Sequence, residues 1–256
     1  MIRRFLLALI MLTTYSTLFA QHKSDSVDLE KLRRESGVDP TRVQSRGGYS
    51  ILMYDQEGSA GQINNRLALN LGVNRWNFSM KYEAITLSTG QPGSGFSSGM
   101  GDIKFSVLNA FFVKGKHALA GSAEFSIPTG KPGFGSQYFS LTPAITYSYT
   151  INPTLFMAFQ PQYTFQLMKD PLFPNLSVLT IRSFLAKFTK TGYFFVFEPR
   201  PIFDFGNNTV DLIISPIIGK SLGAGFNLIG LAEFPITNAY RENKGILYQL
   251  GFNKNF

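Results

Sequence analysis

Few residues able to carry chemistry are present. The chain holds two histidines, His22 and His117, and no cysteine. A serine nucleophile needs a base at hydrogen-bond distance. His22 lies in a polar leader, and His117 stands beside the Lys114-Gly115-Lys116 turn, on the face that the alternation below assigns to lipid. Neither placement makes a hydrolytic pair. With no cysteine and no close histidine pair, a metal site is not expected either. Thr129-Gly130-Lys131-Pro132-Gly133-Phe134-Gly135 contains Gly-Lys but lacks the phosphate-loop pattern, and no helix follows it. The Gly93-Ser94-Gly95 stretch lacks a dinucleotide-binding context. Basic residues give a net charge of +8 but are scattered, so no nucleic-acid partner is expected. The expectation is a protein that is not an enzyme and uses no cofactor.

The informative charges are those locked into a period of two. From 193 to 205, Tyr193, Phe195, Phe197, Phe203 and Phe205 alternate with Glu198, Arg200 and Asp204. From 139 to 149, Phe139, Leu141, Ile145, Tyr147 and Tyr149 alternate with Ser140, Thr142, Thr146 and Ser148. Residues 155 to 167 repeat the pattern with Leu155, Met157, Phe159, Tyr163 and Phe165 against Gln160, Gln162, Thr164 and Gln166. Successive side chains of a strand point to opposite faces. One face here is therefore greasy and the other polar. Parity turns Arg66, Lys81, Glu83, Asp102, Lys104, Glu124, Arg182, Glu198, Arg200, Asp204, Asp211 and Glu233 towards the polar side.

The elements that must position them are strands. They are expected near 48–56, 63–73, 76–87, 101–113, 117–128, 137–149, 154–167, 176–188, 193–205, 209–220, 224–236 and 245–256. Both faces of 176–188 are mixed. Short links at Asn74-Arg75, Lys114-Gly115-Lys116, Ile151-Asn152-Pro153, Lys190-Thr191-Gly192 and Ser221-Leu222-Gly223 alternate with mostly longer loops. That is the pattern of a transmembrane barrel with short inner turns and long outer loops. Charged residues are only 16% of the chain, against about 25% in soluble domains. A soluble sandwich rarely places so many large aromatics on one face. The expected fold is all-β: a transmembrane antiparallel up-and-down β-barrel of about 12 strands. Trp76, Tyr147, Tyr149, Tyr193 and Phe256 should mark its inner rim. Pro143, Pro161, Pro199, Pro201, Pro216 and Pro235 fall inside strands, where each should mark a bulge, a bend or an unmatched carbonyl.

The ends agree with export and membrane insertion. Arg3 and Arg4, the apolar run Phe5 to Leu12 and Leu18-Phe19-Ala20 read as a signal peptide over 1–20. Residues 21–46 are polar and crowded with charge. They read as a periplasmic extension, or as a plug entering the lumen from below, with Glu30 and Arg34 spaced to support a short helix. The barrel should occupy 47–256. Gln249, Gly251 and the terminal Phe256 resemble the C-terminal assembly signal of outer-membrane barrels, while Lys254 stands where an apolar residue is usual.

Gly99-Met100-Gly101-Asp102 and Ile127-Pro128-Thr129-Gly130 resemble two signatures of the outer-membrane family named for the meta-pathway of phenol degradation, itself similar to long-chain fatty-acid channels. The resemblance implies a barrel in the outer membrane of a Gram-negative bacterium that passes small, often apolar or aromatic, solutes, and it supplies no catalytic residues. The partners so expected are outer-membrane lipid, the barrel-assembly machinery and a small-molecule solute. The selectivity candidates are Lys81, Glu83, Asp102, Lys104, Glu124, Glu198, Arg200, Asp204 and Glu233. The alternative is a non-conducting structural or surface-binding barrel.

Overall fold

The computed structural model describes residues 28–55, 61–88, 95–168, 174–237 and 245–256. The expected signal peptide, His22, the start of the polar extension and Gly93-Ser94 lie outside the described residues. A short helix, α1 (Leu29–Ser36), precedes the strands β1 (Arg46–Asp55), β2 (Gly61–Val73), β3 (Trp76–Ser88), β4 (Phe96–Met100) and β5 (Ile103–Lys114). They are followed by β6 (His117–Ile127), β7 (Ser140–Asn152), β8 (Leu155–Gln166), β9 (Ser177–Phe188) and β10 (Tyr193–Asp204). The last three are β11 (Thr209–Gly223), β12 (Phe226–Pro235) and β13 (Leu247–Asn255).

Each strand pairs antiparallel with its neighbours, β13 pairs with β1, and β2 with β3, so the sheet closes on itself. Strands β4 and β5 follow one another along β3 and occupy a single place in the ring. β4 lies opposite Ala84–Ser88, and β5 opposite Trp76–Lys81. The barrel therefore has twelve strands, and closure removes the edges an open sheet would expose. The strand expected over 101–113 is thus broken. From Lys81 to Ala84 is three steps, while from Lys104 back to Met100 is four, so an extra residue is inserted at Gly101-Asp102. Both of these residues are buried, as in a bulge that turns two successive side chains inward.

Parity sorts the faces cleanly. Leu67, Leu69, Trp76, Phe105, Tyr147, Phe159, Phe195, Phe197, Ile218 and Phe252 stand exposed on the outside. Apolar surface so extensive and continuous suits hydrocarbon rather than water. The end of the barrel that holds Arg46 and Asn255 is called the lower end below. Trp76, Tyr147, Tyr193 and Phe256 ring it, with Phe256 79% exposed. Lys254 also faces outward there. Its ammonium donates to the Ala224 carbonyl and lies 4.3 Å from the centre of the Phe226 ring, so this departure from the terminal pattern snorkels at the rim. His117 is on the outer face, with Nδ1 2.7 Å from the Tyr147 hydroxyl.

Several boundaries differ from the sequence expectation. β7 runs through Asn152, whose Oδ1 accepts from Thr154 N at 2.9 Å and closes the Pro153-Thr154 turn. β11 continues to Gly223 and turns at Ala224-Gly225, both with positive φ (48° and 80°), the conformation of a tight hairpin matched to strand twist. Of the three outcomes expected at the prolines, the structure shows unmatched backbone groups and no bulge. Register shifts fall at Asn109/Phe112, Thr150/Asn152 and Ser221/Gly223, none of them at a proline. Instead, partnering lapses with register unchanged beside Pro143 and Pro161 between β7 and β8, beside Pro199 and Pro201 between β9 and β10, and beside Pro216 between β11 and β12. The ladders between them, β8–β9 and β10–β11, run unbroken. A missing N–H thus opens one side of a strand while the other side holds it.

Candidate functional site

The interior has three storeys, and the lowest is filled by the N-terminal helix. Asp28 caps α1 by accepting from Glu30 N and Lys31 N, and Gly37 ends it at φ 72°, where the left-handed conformation favours glycine. Leu32, 1% exposed, packs with Phe156, Ala158, Phe184, Ala186, Phe188, Phe194 and Val196, which are the inward side chains of β8, β9 and β10 near the lower turns. The tip of the Phe194 ring sits over Gly219 of the neighbouring strand. A Cβ there would come within 2.0 Å of the ring, so glycine is what lets the aromatic lie against the wall and leave room for the helix. This apolar inner wall was not anticipated, yet its signal was present in the unbroken run Tyr193-Phe194-Phe195-Val196-Phe197.

Arg33 fixes the helix to the opposite side of that cluster. It is 4% exposed and donates from Nε to Asp39 Oδ2 at 2.7 Å, from Nη1 to Thr150 Oγ1 at 2.5 Å and from Nη2 to Ser148 Oγ at 3.1 Å. Its guanidinium stacks 4.2 Å above Phe156. Across the lumen, the Glu35 carbonyl at the helix end accepts from Asn227 Nδ2 at 3.2 Å and Asn255 Nδ2 at 3.0 Å. The helix is therefore tied to β7 on one side and to β12 and β13 on the other. The spacing of Glu30 and Arg34 does not yield an ion pair. Glu30 meets Arg42 at 3.2 Å, and the i,i+4 pair is Lys31–Glu35 at 3.8 Å.

Above the helix the inner wall is a charged waist. Glu198, fully buried, accepts from Arg182 Nε at 2.6 Å and Nη2 at 3.1 Å and from Arg200 Nε at 3.0 Å. Arg200 Nη1 reaches on to Glu233 Oε1 at 2.9 Å. Gln160 accepts from Arg182 Nη1 at 3.4 Å and donates to Thr146 at 2.8 Å, extending this chain from β12 to β7. On the far wall Arg66 Nε meets Glu83 Oε1 at 2.6 Å, and Asn64 donates to its other oxygen at 2.6 Å. Lys81 Nζ meets Glu124 Oε2 at 2.7 Å, and Lys104 is paired in register with Lys81. Among the described residues Lys104 forms no ion pair. A charge held away from bulk water needs such partners, and the waist supplies them almost one for one.

Asp102 and Asp204 stand apart from the waist. Asp204 accepts from Asn207 N at 3.0 Å and Asn207 Nδ2 at 2.8 Å and so closes the tight 205–208 turn. Asp102 builds the upper storey. It accepts from Gly130 N at 3.1 Å, Ser136 N at 2.7 Å and Ser136 Oγ at 2.6 Å, folding the loop 128–136 inward. Thr129 Oγ1 accepts from Ile103 N at 3.0 Å and donates to the Gly101 carbonyl at 3.3 Å. The two glycine-bearing motifs, far apart in sequence, thus form one clasp. Phe134 packs against Gly99, where a Cβ would come within 2.7 Å of its ring. Asp211, also inward, accepts from Thr237 at 2.6 Å.

The class this architecture defines is a closed, lipid-faced antiparallel β-barrel with a charged interior and a helix inside its lower half. Solved structures share that fold. The chain is similar to the COG4313 outer membrane channel from Pseudomonas putida F1, with a TM-score of 0.65 and 10% identity over 84% of this chain and 96% of that one. The NanC porin follows at 0.59 and 11%, over 84% and 100%, and the KdgM porin at 0.58 and 9%, over 82% and 99%. No family model matches the sequence, and no curated protein matches it.

Proposed function

We propose that the chain is a passive outer-membrane channel for small solutes in a Gram-negative bacterium. On this reading it is exported by its signal peptide and inserted by the barrel-assembly machinery. The observation that carries the reading is the charged waist. A barrel built only as a membrane anchor has no need to line its lumen with Arg66, Lys81, Glu83, Glu124, Arg182, Glu198, Arg200 and Glu233, since burying ion pairs is no gain in stability over apolar packing. Charged side chains lining a pore set its ion preference, and the waist brings acidic and basic ones together at one height. Residues 21–46 then act as a plug, with α1 as its docked part. With α1 undocked, the apolar wall beneath the waist would line a path for solutes with apolar or aromatic parts, and the clasp between the two motifs supports the kinship their sequence suggests.

A second reading, a non-conducting barrel, is favoured by the close packing of α1 on that same wall. Swelling of proteoliposomes separates the two. The channel reading expects faster swelling than protein-free vesicles with small sugars and with aromatic carboxylates; rates equal to protein-free vesicles for every solute would favour the closed barrel.

A further inference from the structure

We infer that the lower mouth of the barrel carries a binding site for a small oxyanion, a phosphate or carboxylate group, held among Arg34, Arg42 and Arg75. The site is a cavity of about 270 Å³ between the helix and the barrel wall. Its lining comes from Glu30 and Arg34 on one face of α1, the Thr41–Val43 segment, the Asn74-Arg75 turn, and Ala110 and Val113 of β5. At the Asn109/Phe112 bulge β5 changes parity. Phe111 and Phe112 are left exposed outside, while Val113, in register with the buried Ala118, closes the cavity from within. The cavity therefore belongs to the lumen mouth and not to the lipid face.

Its charge is out of balance in a way the waist is not. Three guanidinium groups border it, against the single carboxylate of Glu30. Asp39, 3.8 Å from Arg42, is already committed to Arg33. Arg42 Nε is buried without a hydrogen-bond acceptor, because Glu30 at 3.2 Å is not aligned to serve as one. Arg75 spends Nη1 on the Phe111 carbonyl at 3.2 Å, and among the described residues Arg34 forms no ion pair. Planar guanidinium forks suit the paired oxygens of phosphate and carboxylate. Of the apolar lining only Ala110 is buried, with Val113 43% exposed, so the cavity opens to water at the mouth and an anion can enter it from solution.

The test is titration calorimetry of inorganic phosphate into the refolded full-length barrel, with chloride replacing phosphate at constant ionic strength. Saturable binding is expected. Arg34→Gln with Arg75→Gln should weaken it by about tenfold or more, as two charge-assisted bonds are lost. Glu30→Gln should tighten it by roughly twofold to fivefold, since the one repelling carboxylate is removed. A misfolded variant cannot produce that gain. The measurement is then repeated in nanodiscs of phosphatidylcholine with and without phosphatidylglycerol. Weaker phosphate binding with the anionic lipid assigns the site to the phosphate of an anionic headgroup reaching in from the rim, and unchanged binding assigns it to a soluble anion. No saturable binding by wild type, equal affinity in the double variant, or no gain in Glu30→Gln would overturn the site.

Discussion

Replacing Arg33 with alanine should undock the helix while leaving the barrel intact. The residue is 4% exposed and its partner Asp39 is fully buried, so the substitution strands a carboxylate inside the lumen. Breaking a buried pair on one side costs about 3–5 kcal/mol. The low end applies, because Asp39 keeps Thr41 N at 3.0 Å, Thr41 Oγ1 at 2.7 Å and Arg42 at 3.8 Å. A loss of about 3 kcal/mol shifts the docked-to-undocked ratio by roughly a hundredfold. The chain has no cysteine, so a Leu32→Cys reporter is unique and its own cavity cost cancels between the two proteins compared. Maleimide labelling of that thiol requires the helix to leave the Phe156, Phe188 and Phe194 cluster. The labelling rate should rise by about two orders of magnitude in Arg33→Ala when opening is fast relative to labelling, with heat-modifiable gel mobility unchanged. Equal rates in a folded barrel would refute the view that Arg33 holds the helix in place.

Three further substitutions probe the waist, the wall and the terminal strand. Arg200→Gln should shift the reversal potential under a salt gradient towards cations, because Glu233 loses its partner. Its stability cost should fall below the roughly 3–5 kcal/mol of a stranded charge, since Glu198 keeps both bonds from Arg182. Gly219→Ala forces the Phe194 ring off the wall and should cost about 1–3 kcal/mol in urea unfolding, with faster release of the helix. Phe256→Ala should lower the yield of folded protein in the outer membrane. The melting of refolded protein should hardly change, because the ring is 79% exposed and the contacts of residue 256 to Ser45 and Gln44 are made by its backbone.

Much of the barrel was legible because membrane strands obey one strict rule, a period of two, and most strands of this chain follow it outside the bulges of β5 and the mixed faces of β9. What escaped had local causes. The Gly101-Asp102 bulge was hidden because one inserted residue leaves both flanking segments in good alternation. Alternation places Asp102 inward but does not show that its carboxylate binds the 128–136 loop. Parity fixes the face of Asp204 but not its height, and at the strand end its carboxylate caps a turn. The mixed faces of 176–188 were a signal rather than noise. Phe184, Ala186 and Phe188 are apolar on the inner side because α1 lies against them. The pairing of Arg200 with Glu233 could not be seen, since it joins strands separated in the ring by β11.

Single-channel recording in planar bilayers tests the central claim most directly, with the full chain set beside a variant lacking residues 28–42. The cut spares Ser45, whose Oγ accepts from Gly72 N at 3.0 Å and seals the foot of β1 against β2. A solute channel closed from below by α1 should show small conductance with the helix in place and conductance several times larger without it. The same current from both proteins would contradict the plug. No current from either, with the barrels shown to be folded, would contradict the channel itself.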